Sequence, residues 1–157
     1  MYQRIWLDVS REPILRLLLC LLLAVLTFRQ WVWSPVAITG QSMSPTWSHG
    51  QIAGMNKVAY LFAAPRRGDL VFVRTDRELL VKRIVGLPSE EVCARDGIFY
   101  VNGTPLHESY VRFPGSWSIA AGRLGREQFV VAGDNRSQTL VSVVRRDRIV
   151  GRLTPFF

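Results

Sequence analysis

Three short stretches of this 157-residue chain carry side chains suited to hydrolytic chemistry. The first is Gly40-Gln41-Ser42-Met43-Ser44-Pro45-Thr46, a serine-bearing loop behind the apolar approach Val36-Ala37-Ile38. A serine hydroxyl becomes a nucleophile once a neighbouring base removes its proton. The same composition also reads as a simple turn. The second stretch runs from Leu79 to Pro88. Its Lys82 interrupts an apolar strand and is, with Lys57, one of two lysines among 20 basic residues. Lysine differs from arginine chiefly in losing its proton when desolvated. A lysine on an edge strand, turned to water, is the alternative. The third is Val130-Val131-Ala132-Gly133-Asp134-Asn135-Arg136, a strand running into a polar turn, followed by Ser137, Thr139 and Ser142.

A lysine serves as a base at neutral pH only if its surroundings lower its pKa. Unperturbed, near 10.4, it is neutral less than about one part in a hundred of the time. Each unit of lowering requires about 1.4 kcal/mol of differential destabilisation of the charged form. Burial among Leu80, Val81 and Ile84 is the source available here. A Ser-His-Asp arrangement would have to use His49 or His107. Neither sits in a recognisable motif, and both read as surface histidines. With two histidines and two isolated cysteines, no metal site is expected, and nothing calls for a cofactor.

These stretches need an element to carry them. Leu17–Phe28 is almost wholly leucine, valine and alanine, and extending the helix from Ile14 to Trp33 gives about the length that crosses roughly 30 Å of hydrocarbon. Arg16 and Arg29 would snorkel at its ends, and Trp31 and Trp33 fit an interfacial aromatic belt. A cleaved signal peptide is the alternative, but no small-x-small site follows the apolar core. Arg4, Arg11 and Arg16 precede the span and only Arg29 closely follows it. The positive-inside rule therefore keeps the N-terminus in the cytoplasm and exports the rest. Residues 1–34 are read as N-terminus and anchor, and 35–157 as the globular domain.

Beyond Pro35, short β-type runs alternate with turn signals. Strands are predicted at 69–74, 79–85, 91–95, 98–101, 128–132 and 148–153. Asp96-Gly97 and Asn102-Gly103 are hairpin signals. The stretch from Glu108 to Gly125 reads as the longest loop. A mostly β domain, as a partly open barrel or a pair of sheets, follows.

The net charge is +8. It is scattered in short pairs such as Arg66-Arg67 and Arg145-Arg146, with no basic helix or aromatic-basic repeat. Anionic lipid accounts for it better than nucleic acid, which is not an expected partner. Cys20 lies in the apolar run and Cys93 far from it, so no disulfide between them is expected.

In order, an anchor, S-M-S-P-T, V-K-R-I-V-G-L-P and G-D-N-R make a joint pattern that resembles the type I signal peptidases, including the short mitochondrial inner-membrane relatives. The resemblance implies an antiparallel β catalytic domain and cleavage after small residues at the −1 and −3 positions of signal peptides. It identifies Ser42 as nucleophile, Lys82 as general base and Thr139 as a hydroxyl that orients the lysine. Ile38, Val81 and Met43 fall at the pocket for small side chains. Signal peptides of preproteins and membrane lipid are the implied partners, with a second subunit left open. The implied location is the bacterial plasma membrane or, alternatively, an organellar inner membrane.

The chain departs from the family pattern at four places. Gly40 stands where many bacterial members carry a serine or threonine that helps the oxyanion. Ser89-Glu90 and Gly50-Gln51 each replace a common Gly-Asp. Val141-Ser142-Val143 replaces the D-S-R after G-D-N-R, so buried Asp–Arg support of the site is expected to be missing. Two rival readings remain. Self-cleaving repressor proteases share a Ser/Lys dyad and a similar fold but lack the anchor and G-D-N-R. A catalytically degenerate signal-peptide-binding subunit would need neither Ser42 nor Lys82.

Overall fold

The computed structural model describes residues 11–155. Arg4 and the terminal Phe156-Phe157 lie outside the described residues. Helix α1 (Arg11–Val32) contains a 20-residue stretch, Pro13–Val32, of mean hydropathy 1.8 with no residue of its apolar run buried. An apolar helix that, among the described residues, touches the domain only at its C-terminal end is suited to lipid, and its length matches the hydrocarbon core. The Thr27 hydroxyl donates back to the Leu23 carbonyl at 2.9 Å, so this polar group is satisfied within the helix. The helix stops one residue before the expected Trp33. Ser34 precedes Pro35, and the residue before a proline is driven out of the helical region.

Strand β1 (Trp33–Ala37) follows directly, then β2 (Ile52–Asn56), β3 (Leu70–Arg74), β4 (Leu79–Gly86), β5 (Glu91–Arg95), β6 (Ile98–Val101), β7 (Thr104–Pro105), β8 (Ile119–Arg123), β9 (Gln128–Ala132), β10 (Ser142–Arg145) and β11 (Ile149–Thr154). They form two antiparallel sheets. One has the order β1-β2-β11-β3-β4-β9-β10, the other β7-β6-β5-β8. The pair of sheets predicted from the turn spacing is therefore present. Both hairpin signals hold: Asp96-Gly97 joins β5 to β6, and Asn102-Gly103 joins β6 to β7, all four residues having positive φ.

Five strands were not legible. In β1, Pro35 argues against a strand, but β1 is the edge of its sheet, where a missing N–H is tolerated. Trp33, expected in a lipid-facing belt, belongs to this strand instead. Its indole lies flat on Gly54 of β2, where a Cβ would stand 2.2 Å from the ring, and its Nε1 donates to Thr154 Oγ1 at 3.1 Å. Strand β8 lies inside the expected loop. All five of its residues are exposed, so no alternation marks it. β2, β7 and β10 are likewise short or weakly patterned.

Three apolar clusters hold the domain. One joins the sheets through Val85, Val92, Ala94, Phe99, Leu124, Val130 and Ala132. A second covers the opposite face of the larger sheet with Val71, Val73, Ile84, Phe129, Val131 and Ile149. The third gathers Ile38, Ala53, Met55, Phe72 and Leu153, with Trp47 and Val81 packed against it. Fully burying a side chain such as Phe72 or Phe99 contributes about 2–3 kcal/mol. Cys20 and Cys93 are both free.

Candidate active site

Strand β4 pairs with β3 from Leu79 to Arg83, where Lys82 faces Val71. It pairs with β9 only from Arg83 onward. Alternation sends Leu80, Lys82 and Ile84 to one face and Leu79, Val81 and Arg83 to the other. Val81 accordingly packs with Ile38 in the third cluster and does not share the lysine's face. Lys82 is 6% exposed. Burial lowers its pKa below the ordinary lysine value, with Glu78 pulling weakly the other way. Its Nζ donates to Thr139 Oγ1 at 3.0 Å.

The serine loop is closed at its base by Ile38 N–H to Gln51 O and Gly50 N–H to Ile38 O, both 2.8 Å. Its tip is tied to the turn after β9. The Asn135 N–H donates to the Ser42 carbonyl at 3.0 Å, and Asn135 Nδ2 donates to the Gln41 carbonyl at 3.2 Å. Between them lies Gly133. A Cβ there would stand 2.1 Å from the Ser42 carbonyl oxygen and 2.7 Å from Thr139 Oγ1. Only glycine lets both groups approach one point. The Gly133 N–H also donates to Thr139 Oγ1, at 2.8 Å. The Ser42 carbonyl and the Thr139 hydroxyl thus meet at Gly133, and Lys82 joins them through Thr139. The Ser42 hydroxyl and N–H make no hydrogen bond with the described residues, and Ser42 Oγ is not directly bonded to Lys82 Nζ.

An ionic frame surrounds this point. Asp134, fully buried, accepts from Arg83 Nε at 2.8 Å and Nη2 at 2.6 Å, and from the Thr46 hydroxyl at 2.6 Å. Burial works against the Arg83 charge, but the Asp134 contacts outweigh it and hold its pKa above the ordinary arginine value. Its guanidinium also lies 3.9 Å from the centre of the Tyr110 ring. Arg136, 1% exposed, makes a bidentate pair with Glu108 at 2.8 and 2.6 Å and donates to the Gly133 carbonyl at 2.9 Å. The expected loss of buried Asp–Arg support is therefore corrected. Val141 packs on the core and Val143 is exposed, while Arg83–Asp134 and Arg136–Glu108 supply the support. Sequence reading missed Glu108 and Tyr110 because they lie in a stretch without periodicity. Asp134 and Arg136 are legible as part of a turn and of the G-D-N-R motif, but their ion-pair partners are not.

Among the pocket candidates, Ile38 and Met43 are buried, 3% and 2% exposed, and Val81 is half-buried. Neither histidine is hydrogen-bonded to the side chain of Ser42, Lys82 or Thr139 among the described residues. Both are exposed, and His49 Nδ1 accepts the Gly40 N–H at 3.1 Å.

Residues 11–157 match the family model described as signal peptidase, peptidase S26. The chain belongs to this family of peptidases. It is 34% identical to a signal peptidase I of Leptolyngbya laminosa over 81% of this chain and 70% of that one. It is 30% identical to a probable signal peptidase I-2 of Synechocystis over 94% and 71% of the two chains. A crystal structure of a signal peptidase I from Enterococcus faecalis V583 superposes with a TM-score of 0.51 at 25% identity, covering 59% of this chain and 98% of that one. Family and fold together support signal-peptide removal, and the exposed apolar helix fits a membrane-anchored protein.

Proposed function

We propose that this chain is a membrane-bound endopeptidase that removes signal peptides from exported preproteins through a Ser42 nucleophile and a Lys82 general base. The observation that carries the reading is the meeting of the Ser42 carbonyl and the Thr139 hydroxyl at Gly133, with the buried Lys82 bonded to that same hydroxyl. Neutral Lys82 takes the Ser42 Oγ proton as Oγ bonds to the scissile carbonyl carbon. The tetrahedral oxyanion is held by the Ser42 N–H, a donor with no competing partner among the described residues. Collapse breaks the C–N bond, and the Lys82 ammonium returns its proton to the leaving amine. Water, deprotonated by the same lysine, then attacks the acyl carbon, the C–Oγ bond breaks, and the Lys82 ammonium returns the proton to Ser42 Oγ. Thr139 orients the amine. The short serine-to-lysine contact is left to the substrate-bound state, since such contacts tighten on binding.

Substrate class follows from the strand edge. Leu79–Lys82 are paired on the β3 side only, which suits an extended peptide adding as a further strand. The buried Ile38 and Met43, with Val81, wall a narrow site for small residues at −1 and −3. The helix anchors the enzyme in the bacterial plasma membrane, its N-terminus cytoplasmic and the β domain on the outer face, by the arginine bias around the span. Cleavage of a preprotein by the purified full chain in detergent, absent in Ser42→Ala, tests this reading. An active Ser42→Ala refutes it.

A further inference from the structure

Glu108 lies in the stretch between β7 and β8 and takes no part in the chemistry above. Its carboxylate is nonetheless 7% exposed and wholly engaged. Both oxygens receive Arg136, and one also accepts the Tyr110 hydroxyl. From there two chains of contacts lead inward. Arg136 Nε donates to the Gly133 carbonyl at 2.9 Å, and the Gly133 N–H holds Thr139 Oγ1, which receives Lys82. The Tyr110 ring lies beneath Arg83, the residue after Lys82, which is clamped on Asp134 and thereby on Thr46 of the serine loop.

Every path from Glu108 thus ends on a segment that holds Ser42, Lys82 or Thr139. A residue that only fastened its own loop would not need this reach. Backbone contacts already fasten it, since the Arg136 N–H donates to the Phe113 carbonyl and Phe113 bridges Asn135. Without the carboxylate, Arg136 keeps a buried charge with no counter-ion, and its guanidinium must turn away from Gly133 to find one.

We propose that Glu108 is a positioning residue for peptide cleavage, acting through Arg136 on the Gly133 junction and through Tyr110 on Arg83. The proposal rests on the Ser42/Lys82 reading, and it separates geometry from affinity. A displacement near 1 Å at a reacting group lowers the rate by about 100-fold, while Leu79, Leu80 and Val81 of the strand edge that would bind substrate make none of these contacts.

The test is steady-state cleavage of a fluorogenic signal-sequence peptide by the full chain in detergent. Glu108→Gln keeps size and shape but removes the charge; Tyr110→Phe removes only the hydroxyl. At a temperature where near-UV circular dichroism matches wild type, Glu108→Gln should lower kcat by about 10- to 100-fold with KM within about twofold of wild type. Tyr110→Phe should lower kcat less, again sparing KM. A folded Glu108→Gln with kcat within about twofold of wild type overturns the proposal, as does a rise in KM at unchanged kcat. If Glu108→Gln does not fold, Tyr110→Phe decides, and an unchanged kcat there is a refutation. Lys82→Arg, measured alongside, keeps the two ideas apart. Its activity would remove the dyad itself, whereas normal Glu108 variants beside an inactive Lys82→Arg remove only the positioning role.

Discussion

Lys82 Nζ and Thr139 Oγ1 stand 3.0 Å apart, and the same threonine oxygen receives the N–H of Gly133, the residue against which the Ser42 carbonyl packs. One hydroxyl therefore couples the buried amine to the serine loop.

The base assignment makes a sharp demand on chemistry. Lys82→Arg keeps charge and most bulk, but a guanidinium does not deprotonate at working pH. It should fold, remain membrane-bound and be as inactive as Ser42→Ala in peptide cleavage. Thr139→Val should lose activity partially, about 10- to 100-fold, because the base remains but is no longer oriented. Lys57→Arg, His49→Ala and His107→Ala should keep most activity. A working Lys82→Arg would eliminate the dyad.

Protonation of Lys82 links activity to stability. Its pKa is lowered from the ordinary 10.5 by burial, so cleavage should rise with pH to a midpoint below 10.5. The unfolded chain holds this proton more tightly than the folded one. The penalty on stability is thus complete below the folded pKa, fades between it and 10.5, and is gone above. Lys82→Met should be more stable than wild type at neutral pH, with the gap closing towards pH 10.5 in urea titrations. A gap that stays constant over that range would mean the amine is not desolvated.

Gly133→Ala brings a Cβ to 2.1 Å from a backbone oxygen and 2.7 Å from Thr139 Oγ1. The serine loop must move. Cleavage should fall about 100-fold or more, while far-ultraviolet circular dichroism stays that of a β protein. Near-normal kcat would show that the junction tolerates displacement.

Specificity tests the proposed wall of Ile38, Met43 and Val81. Peptides with Ala, Gly or Ser at −1 should be cut, and those with Leu or Phe should not, because close-packed walls yield little. Ile38→Ala should admit larger −1 residues. Equal rates for Ala and Phe in the wild-type enzyme would remove these residues from the pocket.

The large aromatics Trp47, Phe113, Trp117 and the terminal Phe156-Phe157 are candidates for membrane contact by the β domain, the last two lying outside the described residues. Of these, Phe113 is 45% exposed. Trp47 packs on the third cluster, and the Trp117 indole donates to Arg136 O and packs edge-on against Phe99. Leu61 and Phe62 are 69% and 93% exposed, and they follow Lys57, which bonds the Val32 and Gln30 carbonyls at the end of α1. A nitroxide on Phe62→Cys, with Cys20 and Cys93 changed to Ser and the full chain in liposomes, should be more accessible to oxygen than to a water-soluble nickel chelate. The reverse order would place this loop in water.

The anchor, the best-patterned strands and both hairpins could be read from the chain because each depends on near neighbours. An apolar run of helical length, an alternation of period two, or Asp96-Gly97 between two strands keeps its meaning wherever the chain goes. The order of Ser42, Lys82 and Thr139 along the chain suggested the chemistry in the same local way. What surrounds them did not follow from it. Thr46 meets Asp134 across 88 residues, Arg83 meets the same carboxylate across 51, and Arg136 meets Glu108 across 28. Val141 and Val143 read as a lost ionic support, yet the support comes from Glu108, in a stretch whose residues show no period at all. β8 was invisible for a related reason: exposed on every residue, it is a strand only because β5 supplies its partner. Local sequence sets backbone preference and side-chain chemistry, but the pairing of buried charges is decided by which segments the folded sheets bring together, and that is a property of the tertiary structure alone.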